Sequence, residues 1–313
     1  MFIINKLRNY ININPTARKF FVSLLSPFTV PLLFLQNYLS IKGYKRRKMI
    51  SLWRKTNPKN ILNYKNGTAF NISMNKSSIS KSLVFQNDYE FNETSIVKQL
   101  IKPGSNVIDI GANFGWYSVL FSQLVGASGK VFSFEPIPET YEELNSNVKL
   151  NSCKNIKTFN FALGNEERSV NFGVPEFDGS SGCVSQFIKC KKQVQVSMCK
   201  LDEIIEEQNI TNINFIKADI EGGEFNMLLG SEKILNKLKP DIMIEIVDMH
   251  CDRFGYAPVD IYQYLLSKGY NGLFIGNEYT KVKTDIKIND LIKPNVKNLL
   301  NGNYFFSTRI NFN

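Results

Sequence analysis

The first 87 residues contain no aspartate or glutamate, although they carry fifteen lysines and arginines; Asp88 is the first acid of the chain. The remainder holds 23 basic and 28 acidic residues, so a net charge of +10 for the whole chain hides a C-terminal portion of −5. That portion lacks the basic field of a nucleic-acid enzyme, which argues against nucleic acid as its partner. Cysteine is also sparse. Cys153, Cys183, Cys190, Cys199 and Cys251 are odd in number, widely spaced and form no CxxC pair. They indicate neither a disulfide framework nor a zinc site, and a reducing, cytoplasmic setting fits best. His250 is the single histidine. No G-x-G-x-x-G occurs, which counts against a dinucleotide oxidoreductase.

What remains is an ordinary globular composition, 43% hydrophobic and 21% charged over 313 residues, enough for one or two domains. Phe20 to Ile41 is a 22-residue run without a charge, bounded by Arg18 and Lys19 on one side and by Lys42, Lys45, Arg46, Arg47 and Lys48 on the other. Its length permits a membrane span, but Pro27 and Pro31 interrupt a helix, and Ser23, Ser26, Thr29, Gln36 and Asn37 dilute its apolarity. No A-x-A-like cleavage site follows, so a signal peptide fits poorly. Three readings stay open: a helical hairpin packed on the rest of the chain, a segment (residues 18–55) lying on an anionic membrane surface with Trp53 at the headgroups, or a true span. The expected organisation is a basic helical segment over 1–60, a small β-rich lead-in over 61–92, and a main domain over 93–313.

From Glu93 onward, strand-like and helix-like runs alternate. "NVIDI" precedes a helix from about Trp116 to Leu124, and "VFSFE" precedes one from Pro138 to Leu150. "IKTFNFAL" reads as one strand; "SVNFGV" and "QVQVSM" follow. "INFIKAD" precedes a helix from about Glu224 to Leu238, and "DIMIEIV" precedes "PVDIYQYLLSKG". "GLFIG" and "YFFST" close the chain. Repeated βα units of this length predict an α/β fold, doubly wound around a mostly parallel sheet. Ligands of such sheets bind beyond the carboxyl ends of the strands.

The first strand ends in Asp109 and turns through Gly111, Asn113 and Gly115 into its helix. Glycine at 111 allows the backbone close to a ligand, and Gly115 lets the helix begin near the sheet. An acid two residues before the first glycine disfavours a pyrophosphate and suits a ligand with a positive amino group, such as S-adenosylmethionine. The second strand ends in Glu135, where a carboxylate can accept hydrogen bonds from both hydroxyls of a ribose. Asn160 and the backbone near Ala162 are placed to meet an adenine edge.

The blocks "VIDIGANFGWYSVLF", "VFSFEPIPETYEELNSNVKLN", "FNFALGN", "LDEI" and "IKADIEGGEFNMLLG" resemble the FkbM family of S-adenosylmethionine-dependent methyltransferases, over roughly Glu93 to Ile246. The resemblance implies a class I methyltransferase fold with a seven-stranded sheet, S-adenosylmethionine as cofactor, and a hydroxyl of a sugar, glycan or other metabolite as methyl acceptor. It also carries Asp219 and Glu221 over as active-site residues, their roles left open.

A hydroxyl is a poor nucleophile while protonated, so methyl transfer to it needs a general base or a metal. Lys217, Asp219, Glu221 and Glu224 lie at the end of the fourth strand and just beyond; Glu245, Asp248 and His250 lie at or after the fifth. Asp219 and His250 are rival bases, and the imidazole suits proton abstraction near neutrality. A divalent metal held by Asp219, Asp248 and a neighbouring acid is a further alternative, which acids alone indicate only weakly. Asp178 to Gln186 reads as a lid or acceptor loop, and Cys183 within it lacks a partner for nucleophilic chemistry. Against the O-methyltransferase stand a Rossmann-type NAD oxidoreductase and a non-catalytic, membrane-docked binding module.

Overall fold

The computed structural model describes residues 61–64, 67–71, 90–175, 182–183, 190–275 and 301–309. The expected basic helical segment, its apolar run Phe20–Ile41 and most of the loop Asp178–Gln186 lie outside the described residues. Two short strands, β1 (Ile61–Asn63) and β2 (Ala69–Asn71), pair antiparallel. Helix α1 (Phe91–Leu100) follows, then β3 (Asn106–Ile110), α2 (Trp116–Val125), β4 (Lys130–Phe134), α3 (Pro138–Leu150) and β5 (Ile156–Phe159). Next come β6 (Ala162–Leu163), β7 (Arg168–Pro175), β8 (Gly182–Cys183), β9 (Cys190–Cys199), α4 (Leu201–Glu207) and β10 (Phe215–Ala218). The chain continues through α5 (Glu224–Leu229), α6 (Glu232–Lys237), β11 (Asp241–Ile246), α7 (Asp248–Arg253) and α8 (Pro258–Ser267), then β12 (Asn271–Phe274) and β13 (Gly302–Ser307).

Seven strands form the central sheet in the order β12-β13-β11-β10-β3-β4-β5. The ladders joining β11, β10, β3, β4 and β5 are parallel, and β13 runs antiparallel to both its neighbours. Side chains alternate across a strand, and here each alternate set meets a different layer of helices. Ile108, Ile110, Ile216, Ile242 and Ile244 join one core with Leu201 of α4, Leu235 of α6 and Ile261 and Leu265 of α8. Val107, Val131, Phe215 and Met243 join a second with Val97 of α1 and Phe121 and Val125 of α2. The sheet is therefore buried on both faces, which is why its strands read as continuous apolar runs.

Two runs read as single elements divide in three dimensions. "IKTFNFAL" splits into β5, at the edge of the central sheet, and β6, which starts a separate four-stranded sheet ordered β6-β9-β7-β8. The switch falls at Asn160, whose side-chain amide donates to the carbonyls of Glu135 (2.9 Å) and Pro136 (3.0 Å). The helix expected from Glu224 to Leu238 breaks into α5 and α6. Gly230 packs its backbone against Gly164, and Ser231 Oγ turns back to donate to the Met227 carbonyl at 2.7 Å. Asp202 of α4 then accepts the first free amides of α6, Lys233 N at 2.8 Å and Ile234 N at 3.0 Å. A side chain from another helix thus caps the second piece. Asp202→Ala is expected to cost about 1 kcal/mol, read as a lower urea midpoint with an unchanged slope.

The β1–β2 hairpin is held by α3. Asn151 exchanges two hydrogen bonds with the backbone of Ala69, at 2.9 and 2.7 Å. Asn147 accepts from Asn71 N (2.7 Å) and donates to the Phe114 carbonyl (2.8 Å), so one buried amide ties the hairpin to the turn after β3. Among the described residues, no helix is long and apolar enough to cross a membrane.

Candidate active site

The turn between β3 and α2 runs through the left-handed region three times, with φ of 76° at Gly111, 52° at Asn113 and 95° at Gly115. At Gly111 this conformation brings the backbone against the end of β10: a Cβ there would sit 1.9 Å from the carbonyl oxygen of Asp219. The turn's amides are spent inside the protein. Gly111 N and Ala112 N both donate to the Phe134 carbonyl (3.0 and 2.9 Å), and Asn113 N donates to Glu135 Oε2 at 3.0 Å. A pyrophosphate cradle needs those amides facing outward. Their engagement with β4 is a second argument against a dinucleotide site.

Asp109 lies behind the turn, 1% exposed. Ser118 Oγ donates to its Oδ2 at 2.6 Å, while Oδ1 is buried with no hydrogen-bond partner among the described residues. Burial pushes this carboxyl up to about 6, with the Lys217 ammonium working the other way. Glu135 is 6% exposed and takes the amides of Asn113 and Ile137, each at 3.0 Å, on its two oxygens. Burial still pushes it up to about 7. Each oxygen keeps acceptor capacity beyond those bonds. Asn160 is exposed beside the Glu135 carbonyl. Ala162 is buried in β6, in register with Met198 of β9.

Alternation also explains a buried ionic group on the α1–α2 face. Asp109 and Lys217 are register partners on β3 and β10, and both point towards α2. Lys217, 3% exposed, places its Nζ 3.1 Å from Asp219 Oδ2 and 4.6 Å above the Tyr117 ring. Burial opposes its charge, yet Asp219, then Glu90 and Asp109, outweigh burial and hold the ammonium above its ordinary range. Tyr117 in turn donates to Glu90 Oε2 at 2.8 Å. Glu90 and Tyr117 were not legible as site residues. Their only sequence signal is that Glu90 is among the first acids after the acid-free stretch.

The turn after β10 is built around a second glycine. Gly222 has a φ of 115°, and a Cβ there would fall 2.6 Å from the His250 carbonyl. The bare backbone lets α7 approach. Tyr256 OH donates to the Gly222 carbonyl (2.7 Å), and buried Glu224 accepts the Ile220 amide (2.9 Å). His250 Nε2 consequently lies 3.1 Å from Glu221 Oε2, and Nδ1 lies 3.7 Å from Glu245 Oε2. Burial, then the charge of Asp219, pushes Glu221 up to about 7. Burial, then the charges of Asp219, Glu221 and Glu224, pushes Glu245 up to about 9. Burial and the nearby Arg253 cation lower His250. The metal set suggested by Asp219 and Asp248 is not assembled. Asp219 is committed to Lys217, and Asp248 is exposed at the start of α7.

Residues 109–271, just over half of the chain, match the model of the methyltransferase FkbM domain. The chain belongs to the FkbM methyltransferase family. Its fold is the class I methyltransferase architecture that the sequence resemblance implied. A protein named methyltransferase 1 from Beauveria bassiana is 22% identical over 199 residues, covering 52% of this chain and 80% of that one. The hexuronic acid methyltransferase AglP of Haloferax volcanii is 24% identical over 177 residues, covering 56% of this chain and 66% of its own. The 2-O-methyltransferase NoeI of Sinorhizobium fredii is 24% identical over 159 residues, with 46% and 64% covered. The chain thus spans just under two thirds of the length of the last two. Within this FkbM-family domain, the matched region opens at Asp109 and includes the whole of β10, α7 and the cluster around His250.

Buried carboxyls raised by desolvation make the ligand-free domain sensitive to pH. Asp109 rises from an ordinary 3.8 to about 6, and Glu135 and Glu224 rise from 4.5 to about 7. The folded state keeps protons that the unfolded chain has already shed, so this stabilisation is complete below about 4 and is lost as pH climbs towards 7. Denaturant midpoints of the ligand-free protein are expected to fall between pH 5 and pH 7.5. A midpoint that rises over that interval contradicts the burial of these three groups.

Proposed function

We propose that this protein is an S-adenosylmethionine-dependent O-methyltransferase acting on a hydroxyl of a glycan or related hydroxylated metabolite. The observation that carries the reading is the buried, unpartnered Oδ1 of Asp109 beneath a turn whose amides are already spent. A site of that kind suits a cationic ligand and not a pyrophosphate. The donor set fits the cofactor in two further respects: Glu135 offers carboxylate oxygens at the end of β4, and Asp109, Glu90 and Asp219 supply three carboxylates against the single ammonium of Lys217. When bound, S-adenosylmethionine supplies a methyl group on a positively charged sulfur, open to in-line displacement by an oxygen.

Proton removal falls to Asp219 in this reading. In this reading His250 is engaged with Glu221, whose Oε2 lies 3.1 Å from its Nε2, and faces Glu245 at 3.7 Å, and so is not the base. Asp219 is partly exposed and held in place by Lys217, so it can take the proton as the acceptor oxygen bonds to carbon. Glu221, on the same turn, borders the acceptor position. A sugar acceptor is supported by the relative named for hexuronic acid, and methylation of an oxygen by the relative named for 2-O methylation. The cytoplasmic setting and membrane contact through residues 18–55 stand as expectations of the sequence.

The first test is calorimetric titration with S-adenosylmethionine, S-adenosylhomocysteine and NAD, followed by transfer of labelled methyl to uronate-bearing and neutral oligosaccharides. Saturable binding of the first two ligands and not of NAD is expected, with label recovered in an alkali-stable methyl ether. Binding of NAD alone overturns the proposal in favour of the oxidoreductase. Binding of none favours the non-catalytic module.

A further inference from the structure

Glu221, Glu245 and His250 come from three different elements: the turn after β10, strand β11 and helix α7. Each offers one ligand atom, and the three atoms lie within 4.8 Å of one another. All three side chains are partly buried, His250 at 16% exposure, Glu221 at 23% and Glu245 at 26%. Two ligands about 2.1 Å from one cation stand roughly 3–4 Å apart, and the 3.1 Å separation of His250 Nε2 from Glu221 Oε2 falls at that spacing. The convergence is structural in origin. It depends on Gly222 admitting α7 and on Glu224 and Tyr256 bracing the turn. Charge points the same way. Asp219, Glu221, Glu224 and Glu245 bring four carboxylates to the ends of β10 and β11, against Lys217, already committed to Asp219, and Arg253.

We propose that Glu221, Glu245 and His250 bind one divalent cation, of the hard to borderline class to which Mn²⁺ and Mg²⁺ belong. Two carboxylates and one imidazole make an oxygen-rich set with a single nitrogen, which suits Mn²⁺ and leaves coordination positions for water or substrate oxygens. The cation's occupancy is independent of the methyl-transfer reading; its role rests on that reading. A hydroxyl, or two vicinal hydroxyls, bound to the cation becomes more acidic. A carboxylate, too weak a base to ionise a free alcohol, then suffices, and Asp219 is placed to take that part. The proton passes from the acceptor oxygen to Asp219, the new bond forms between that oxygen and the methyl carbon, and the carbon–sulfur pair stays on sulfur. The preferred acceptor is therefore a sugar ring with adjacent hydroxyls.

The test uses the full chain, stripped with chelator and titrated with Mn²⁺ while free ion is followed by electron paramagnetic resonance. One Mn²⁺ per chain is expected, displaced by excess Mg²⁺, with nitrogen coupling in the pulsed spectrum of the bound ion. Glu245→Gln and His250→Asn are expected to weaken binding at least tenfold, and the nitrogen coupling disappears in the second. Asp248→Asn, on the exposed start of the same helix, leaves binding unchanged. Thermal midpoints of the ligand-free variants verify folding, and Glu245→Asp, which keeps the carboxylate, recovers part of the affinity. Absence of saturable Mn²⁺, or equal affinity in wild type and both variants, overturns the cation site. Labelled-methyl transfer run in parallel separates the two readings. Transfer that persists undiminished in chelator removes the cation and keeps the methyltransferase; Mn²⁺ binding without transfer does the reverse.

Discussion

Asp219→Asn is expected to lower the turnover number by about 10²–10⁴-fold, the loss typical of removing a positioned general base, while weakening the affinity for S-adenosylmethionine far less, because Asp109, Glu90 and Glu135 remain. Asparagine keeps an oxygen for Lys217 Nζ, which stands 3.1 Å from Asp219 Oδ2, and Glu90 and Asp109 continue to offset the buried ammonium. The variant should therefore fold, and a thermal melt beside the kinetics verifies it. Turnover that survives intact would move proton acceptance to another group. An equal fall in turnover and donor affinity would instead place Asp219 on the donor.

Gly111→Ala tests the turn itself. The added Cβ would lie 1.9 Å from the Asp219 carbonyl oxygen at a φ of 76°, so the ends of β3 and β10 must part or the turn must rebuild. The expected cost is on the order of 3 kcal/mol or more, combining backbone strain with an overpacked contact. Donor binding should disappear with it, because Asp109 and Glu135 are held in place through the same turn. Gly126 provides the control. Its φ is also positive, at 64° with ψ at −169°, but no heavy atom lies within 4 Å of a Cβ there, so Gly126→Ala should cost about 1–3 kcal/mol from conformation alone. Equal losses in the two variants, measured by urea denaturation, would mean that the close approach of the strands contributes nothing.

The sequence by itself determined the layered fold and the outline of the glycine-rich turn after β3. Both are local: alternation along a strand, helical runs between strands, and an acid followed by glycines at a strand end all reside in short windows. Asp109, Gly111, Asn113, Gly115 and Glu135 could be placed for that reason, each at or just beyond the carboxyl end of β3 or β4; their cofactor role belongs to the proposed function. The same windows misread "IKTFNFAL" and Glu224–Leu238, since the breaks there come from Asn160 bridging to β4 and from Asp202 capping α6 across the fold.

Only the tertiary structure decided which charged groups face one another. Strand order places β10 between β3 and β11, and this juxtaposition sets Lys217 beside Asp109 and brings Glu245 to the turn that carries Glu221. Nothing in the spacing of His250 from Glu221 indicates that Gly222 lets one helix close on the other's turn, or that Glu90 reaches Tyr117 from the start of α1. The reason is physical. Periodicity records which face of an element is buried, whereas the meeting of strand ends depends on crossovers and on bare backbone at single glycines, which no local pattern encodes.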